Sequence, residues 1–392
     1  MPSFRFLTAG ESHGPGLVAI IDGVPAGLPL LEAQIDVDLA RRQRGYGRGG
    51  RMKIETDRAV LQAGVRGGET IGAPIALLVT NKDFASWTGR MGAAPFDATP
   101  EPVVRPRPGH ADLAGGVKYD RRDLRDVLER ASARETAMRV AVGAVARALL
   151  AAVEIDLFAH VVSIGDVVAT AHTSPAGADL GDLRDAARAS DLSCADADAE
   201  VRMREAILAA SHAGDTLGGV FEVIATGVPI GLGSHVQWDR KLDGKLAQAL
   251  MCIQAIKGVE IGLGFEAARV RGSRVHDPIG YDAQAHAFVR SSNGAGGLEG
   301  GITNGMPIVV RAAMKPIATL RKPLPSVHVD TKEPSDAAFE RSDICAVAAA
   351  SVVGEAMVAI ALADALLDKF GGDSVGELRR NVAGYRAQVS EY

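Results

Sequence analysis

Two histidines set beside glycines are the first residues in this sequence equipped to move protons. Gly10-Glu11-Ser12-His13-Gly14 follows a strand-like run, which puts an imidazole on a tight turn that a ligand can approach closely. Arg105-Pro106-Arg107-Pro108-Gly109-His110-Ala111-Asp112 repeats the arrangement on stiffer chain, because each proline fixes its own φ and restricts the residue before it. The two arginines are thereby offered with little conformational freedom to lose. A lone loop histidine is ordinarily just solvated, and a Pro-rich loop is as often a rigid surface feature as a site. Two such loops in one chain tilt the reading toward acid–base chemistry.

Cations come next. Arg41-Arg42-Gln43-Arg44-Gly45-Tyr46-Gly47-Arg48-Gly49-Gly50-Arg51-Met52-Lys53 holds six basic residues in thirteen and no acid. Guanidinium groups spaced by glycine suit a bidentate grip on phosphate or carboxylate. The competing reading is an RNA-binding arm, for which Tyr46 alone offers a stacking face.

The stretch Arg130 to Arg139 loads charge onto a helix whose continuation, Val140 to Val153, is almost wholly Ala, Val and Leu. At about 100° per residue, Ser132, Thr136 and Arg139 fall within about 60° of one another, with Glu129 and Glu135 at the flanks. Charges buried there are costly unless partnered. Two readings stand: an Arg/Glu network pinning the helix to its neighbours, or the polar wall of a pocket for a phosphate-bearing ligand.

Three further segments offer groups to a ligand. Asn293 to Gly301 is glycine-rich but does not match G-x-G-x-x-G in phase, leaving a backbone cradle or a flexible loop. Lys315-Pro316-Ile317-Ala318-Thr319 carries a cation and a hydroxyl on a constrained turn. Arg341-Ser342-Asp343 opens the last long helix, where Ser and Asp ordinarily cap and an arginine opposes the N-terminal dipole. No HExxH, EF-hand or Cys/His cluster occurs, so no protein-held metal is expected.

These groups need a scaffold. The chain has 392 residues, 47% of them apolar, with 45 glycines. Strands are expected over 4–8, 17–21, 54–63, 74–80, 157–169, 218–225 and 307–314. Helices are expected over 31–44, 121–153, 200–212 and 344–370. Leu242, Leu246, Leu250 and Ile253 form the stripe of another helix, expected to end near Lys257-Gly258. The stretch 171–198, rich in Ala, Asp, Gly and Ser, reads as a surface excursion. Strands and helices alternate without the beat of a doubly wound sheet, and no linker or repeat interrupts them. One α+β domain over residues 1–392 is expected.

Composition also excludes. A net charge of −5 argues against a general nucleic-acid or membrane-surface binder. The opening Met1-Pro2-Ser3-Phe4-Arg5-Phe6 has no signal-peptide pattern. The apolar tracts at 137–153 and 344–367 are interrupted by Arg139, Arg147, Glu355 and Asp364, so neither is expected to span a membrane. Cys194, Cys252 and Cys345 are isolated, which suggests no disulfide framework and a reducing cytoplasm.

Taken in order, the segments resemble the chorismate synthase family. The matching pieces are GESHG at 10–14, RRxxGYGRG at 41–49, RPGHAD at 107–112, RASARETAxRV at 130–140 and GDTLGG at 214–219. They continue with QAIKGVEIG at 254–262, GGLEGGxTNG at 296–305, KPIAT at 315–319 and RSDxCAVxAA at 341–350. The stretches 165–205 and 320–338 carry little of the resemblance. It implies a flavin-dependent lyase of the shikimate pathway that eliminates phosphate from 5-enolpyruvylshikimate 3-phosphate to give chorismate. Such enzymes require reduced FMN with no net redox change. The implied fold is a β-α-β sandwich, helices packed between two mostly antiparallel sheets, assembled as a homotetramer.

The same resemblance implies roles. Ser12, Arg42, Arg48, Arg107 and Arg134, with Arg341, would bind the substrate's phosphate and carboxylates. His110 would protonate the departing phosphate, and His13 would donate to the flavin ring. Asp343, with Ser132 nearby, would relay a proton from flavin N5. Flavin contacts would come from Arg130, Ala131, Ser132, Gln254, Ala255, Gly300, Lys315, Pro316, Ile317, Ala318, Thr319 and Arg341. The reductant would be NADPH, contacted by Arg42 and Arg48, or an external flavin reductase, toward which the lack of an appended reductase domain leans. Two rival classes are a non-catalytic anion or RNA binder using the 41–53 loop and a flavin oxidoreductase with net redox turnover.

Overall fold

The computed structural model describes residues 4–49, 55–170 and 180–392. Alternation builds the first sheet. Leu17, Ala19 and Ile21 are fully buried while Val18 and Ile20, between them, are exposed. Strands β1 (Arg5–Ala9), β2 (Gly16–Asp22), β3 (Ala59–Ala63) and β4 (Ile75–Thr80) join antiparallel in the order β1-β2-β4-β3. Cross-strand pairs such as Leu17 with Val79 and Ile21 with Ile75 put one apolar face inward. The second sheet runs β8-β9-β7-β5-β6, again antiparallel. Its strands are β5 (Asp156–Ile164), β6 (Val167–Val168), β7 (Gly219–Thr226), β8 (Ile256–Ile261) and β9 (Ile308–Met314).

Helices fill the space between. Those that bear on the site are α1 (Glu32–Gln43), α2 (Asp112–Tyr119), α3 (Arg125–Ala131), α4 (Thr136–Ala151), α5 (Leu242–Met251) and α6 (Val347–Phe370). Helix α4 lies on β2 and β4 of the first sheet, α6 lies on β5 and β7 of the second, and α4 packs on α6. The expected sandwich of helices between two antiparallel sheets is therefore the observed architecture. Small residues let the central helices approach closely. A Cβ on Gly143 would stand 2.3 Å from the Ala356 Cβ, so only glycine fits at that crossing.

Helix α6 has a mean hydropathy of 1.8, enough by length and composition to cross a membrane, but 89% of that window is buried within the protein. It is the core helix of the sandwich. In its middle, Glu355 is 1% exposed and accepts a bidentate pair from Arg41 at 2.9 and 2.7 Å, with Arg147 at 3.0 Å. Burial would raise its pKa, but the Arg41 hydrogen bonds and the neighbouring cations outweigh that and hold it below the ordinary glutamate value. This Arg/Glu cluster ties α1, α4 and α6 together and lies apart from the 130–139 stretch for which a pinning network was expected.

Several expected elements differ. The helix over 121–153 is divided into α3, a 3-10 turn over Ala133–Glu135, and α4. Ser132 sits between the pieces in extended conformation, its hydroxyl accepting from Arg134 N at 3.3 Å, a local bond that competes with the helix. Helix α5 ends at Met251 rather than near 257, because Ala255 turns to φ 66° and the chain re-enters the sheet as β8. Of the strand expected over 54–63, only Ala59–Ala63 forms, and Ile54 lies outside the described residues. The excursion expected over 171–198 begins at 171–179, outside the described residues. It continues as a helix, Leu180–Ala189, whose Leu180 and Leu183 cover Phe158, Ile224 and Val309. The glycine-rich run near 293–301 ends in a short hairpin, Leu298–Glu299 with Ile302–Thr303.

Candidate active site

The loop after β1, the end of α1, the turn before α2, the α3–α4 junction, the link from α5 to β8, and the segments flanking β9 and α6 all reach one cavity of about 430 Å³. That size is ordinary for a small-molecule site. Ser12, His13, Arg42, Arg48, Arg107, His110, Ala131, Ser132 and Arg134 line it. Gln254, Ala255, Lys315, Ile317, Ala318, Thr319, Arg341 and Asp343 complete the predicted residues on its wall. From the described part of the basic loop Arg42, Arg48 and Gly49 line this cavity, Arg41 and Arg44 lie elsewhere, and 50–53 lie outside the described residues.

Each histidine stands against a buried carboxylate. Glu129, 1% exposed, accepts from His13 N at 2.8 Å and faces His13 Nδ1 at 2.9 Å. The His13 ring stacks on Trp87 with centroids 4.0 Å apart, and Arg125 lies 5.2 Å from the centroid of the same Trp87 ring while bonding Glu129 at 3.0 Å. Burial would raise the Glu129 pKa, but the His13 and Arg125 hydrogen bonds hold it below the ordinary value. Asp112, at the start of α2, faces His110 Nδ1 at 2.6 Å and accepts from Arg107 Nε and Nη2 at 2.8 and 3.0 Å. Burial opposes its ionisation, yet those bonds from His110 and Arg107 keep it well below the usual carboxylate range.

The arginines are held by polar partners rather than left to swing. Arg134 donates to Asn81 Oδ1 at 3.0 and 2.8 Å and to Asp57 Oδ2 at 2.7 Å. Asn81 in turn donates to the carbonyls of Glu11, Ser12 and Gly14 at 3.1, 3.3 and 2.8 Å. Those three carbonyls leave no doubt about which end of the amide is which. Arg42 donates to Thr136 Oγ1 and Ala133 O, each at 2.9 Å, and burial pushes its pKa down to about 10. Arg48 pairs with Asp343 at 3.2 Å, and Asp343 also accepts from Gly49 N at 2.6 Å. Arg107 Nη1 reaches Thr319 Oγ1 at 3.0 Å. Lys315 has its pKa lowered by burial and by Lys257.

The polar stripe read on one helix resolves into two functions. Ser132 and Arg134 face the cavity, and Ser132 Oγ donates to Ser12 Oγ at 3.2 Å. Arg139 instead pairs with Glu135 at 2.7 Å and donates to Cys252 O at 3.0 Å. Residues 131–134 thus line the cavity, while Glu135 and Arg139 pair with each other and tie the helix to its neighbour at Cys252.

Three predicted residues do not reach the cavity wall. Arg130 turns outward and donates to Gly10 O and Thr8 O, both at 3.1 Å. Pro316 is exposed between lining neighbours. Gly300 sits in its hairpin turn, where the nearest atom to a Cβ would be His235 Cβ at 3.9 Å. Conversely, Trp87, Glu340, Leu128 and Met314 line the cavity without standing out in the sequence, and Ser342, expected as a cap, lines it as well. Trp87 carried one signal, being one of only two tryptophans. Among the described residues no cluster of His, Cys, Asp and Glu is arranged to hold a metal.

A family model described as chorismate synthase matches residues 4–367. The chain belongs to the chorismate synthase family. A chorismate synthase of Geobacter sulfurreducens is 57% identical over 395 residues, covering 99% of this chain and 100% of that protein. One of Solibacter usitatus is 56% identical over 390 residues, covering 99% and 100%. A solved structure titled as a crystal structure of chorismate synthase aligns with a TM-score of 0.81 at 46% identity, over 99% of each chain. Membership of the chorismate synthase family makes this chain a lyase of the shikimate pathway.

Proposed function

We propose that this chain converts 5-enolpyruvylshikimate 3-phosphate to chorismate and phosphate by a 1,4-anti elimination, with reduced FMN bound and no net redox change. The observation that carries this reading is the gathering of Arg42, Arg48, Arg107, Arg134, Lys315 and Arg341 with two carboxylate-bound histidines around one cavity. In a protein of net charge −5, that concentration of cations suits a strongly anionic ligand and would steer it inward. Arg42 and Arg48 are buried with side chains only 5% and 9% exposed, which disfavours an RNA-binding arm.

The wall also suits a flavin. Gln254 lies on it with Nε2 donating to Glu135 at 2.7 Å, while its buried Oε1 has no hydrogen-bond partner among the described residues. That oxygen would accept from an imide N–H. Leu128, Ala131, Met314, Ile317, Ala318 and Ala346 give the cavity an apolar side for a planar ring, and Lys315 and Arg341 add cations for a phosphate. We assign flavin contacts to Ala131, Ser132, Gln254, Ala255, Lys315, Ile317, Ala318, Thr319 and Arg341. Reduced FMN supplies electron density that eases loss of phosphate from an unactivated ring.

The protein's own groups do the rest. Ser12, Arg42, Arg48, Arg107 and Arg134 bind and orient the anionic substrate. His110 gives a proton to the departing phosphate. His13, anchored by Glu129, would donate a hydrogen bond to a bound flavin ring. Asp343, assisted by Ser132, carries the substrate-derived proton away. We further read residues 1–392 as one domain, a cytoplasmic homotetramer in assembly, with NADPH or an external flavin reductase as the source of electrons.

The deciding experiment is anaerobic: purified protein, substrate and photoreduced FMN, followed by phosphate release and chorismate absorbance. Product only with reduced flavin supports the reading. No product from folded, flavin-binding protein would mean a different anionic substrate. The same assay with oxidised FMN and NADPH separates the two electron sources, and steady NADPH consumption would favour net redox turnover instead.

A further inference from the structure

An aspartate in the first turn of a helix ordinarily caps it, accepting from the helix's own leading N–H groups. Asp112 does not. It is fully buried, accepts from Arg107 N at 3.1 Å, Arg107 Nε at 2.8 Å and Arg107 Nη2 at 3.0 Å, and faces His110 Nδ1 at 2.6 Å. One carboxylate thus serves a substrate-facing cation and an imidazole together.

The third side of this triangle matters. Arg107 Nη2 lies 3.1 Å from His110 Nδ1. A guanidinium can only donate and is always charged. Left alone with His110, it would make Nδ1 the acceptor, put the ring proton on Nε2, and oppose any second proton. With the Asp112 carboxylate present, Nδ1 instead donates to Oδ1, and Nε2 becomes the nitrogen that exchanges protons. The carboxylate charge also offsets that of Arg107, so the protonated ring is no longer penalised.

We infer that Asp112 is a positioning residue for the elimination: it sets the His110 tautomer with hydrogen on Nδ1 and balances Arg107, so that Nε2 can carry a proton and release it to the leaving group. This rests on the reading of His110 as proton donor. Among the described residues, the His110 ring nitrogens bond only Arg107 and Asp112. Other charged groups face the same cavity from elsewhere: Lys315 after β9, Glu340, Arg341 and Asp343 before α6, Arg42 and Arg48 by α1, Arg134 before α4, and His13 after β1. They set the background field, and Asp112 sets the proton.

The test combines selective ¹⁵N-histidine NMR of the FMN-loaded protein with pH–rate profiles under reduced FMN. In the unaltered protein the neutral His110 ring should carry its proton on Nδ1. In Asp112→Asn the proton should move to Nε2, turnover should fall about 10–100-fold, and the alkaline limb of the rate profile should move about one pH unit or more toward acid. Asp112→Glu should recover part of the limb. A neutral His110 protonated on Nε2 in the unaltered protein overturns the inference without any variant, as does an unmoved limb in folded Asp112→Asn. A merely structural role would lower the rate at every pH and leave the limb in place. Normal turnover in His110→Ala would instead sink the proton-donor reading, while the tautomer measurement would still judge Asp112.

Discussion

Glu129 holds His13 at two points, accepting its backbone N–H at 2.8 Å and meeting its ring Nδ1 at 2.9 Å. Trp87 stacks on the same ring, so both the edge and the plane of the imidazole are set before anything binds. Glu129→Gln keeps an acceptor for the backbone but removes the charge. We expect about 10–100-fold lower turnover and weaker binding of reduced FMN than of oxidised FMN relative to the parent protein. Anaerobic flavin titrations check this, and equal loss for both flavin states would remove the charge argument.

His110→Ala should cost about 10²–10⁴-fold in turnover while flavin binding persists, the usual effect of deleting a general acid. The measurement is phosphate release alongside a flavin titration. A near-normal rate would take His110 out of the chemistry.

Ser132→Leu should abolish flavin binding without unfolding the chain. Ser132 sits in the break between α3 and α4 with its hydroxyl against Ser12, on the cavity wall, so the larger side chain must enter the cavity. Circular dichroism separates this from misfolding, and an unchanged titration would make the junction structural only.

Glu355→Ala should destabilise the fold by about 3 kcal/mol, because Arg41 and Arg147 would lose their shared buried partner and be left with the single carboxylate of Asp38 between them. Denaturant unfolding reads this. A loss below about 1 kcal/mol would show that the cluster reaches solvent when one member is missing.

Acid should weaken the site's scaffold in a defined window. Asp112 and Glu129 both have folded-state pKa values below their ordinary ones, so their contribution is complete above the unfolded carboxylate values and is lost as pH falls through the lower folded values. Unfolding midpoints of the parent and of Asp112→Asn should therefore differ at neutral pH, begin to approach each other below about pH 4, and meet only in acid strong enough to protonate the folded carboxylate. A gap that persists into strong acid would contradict the ionic account.

Legibility tracked chemistry better than backbone. Histidines beside glycine, the interleaved arginines and the alternating strands at 17–21 and 307–314 announced themselves because one residue type or one period dominated each. The helix over 121–153 was misjoined because its apolar spacing runs on through α3 and α4, and a single serine hydroxyl makes the break. Arg130 belonged to a matching motif, yet its guanidinium found nearer carbonyls on the β1 side. Trp87, Asn81 and Asp57 were invisible for another reason: the site residues they hold, His13 for Trp87 and Arg134 for Asn81 and Asp57, lie between 53 and 77 residues away in the chain, and only the packed sheets bring them together.

Arg41 and Arg42 are adjacent in α1, yet the first grips Glu355 in the heart of the sandwich and the second reaches Thr136 and Ala133 at the cavity wall. One helical turn is thus anchored in both the interior and the pocket. Relaxing the interior charge cluster would roll that turn and displace the pocket arginine with it. Variants that gain heat resistance by replacing Glu355 and its cations with apolar residues should therefore drift in substrate affinity, although they lie beyond any contact with substrate.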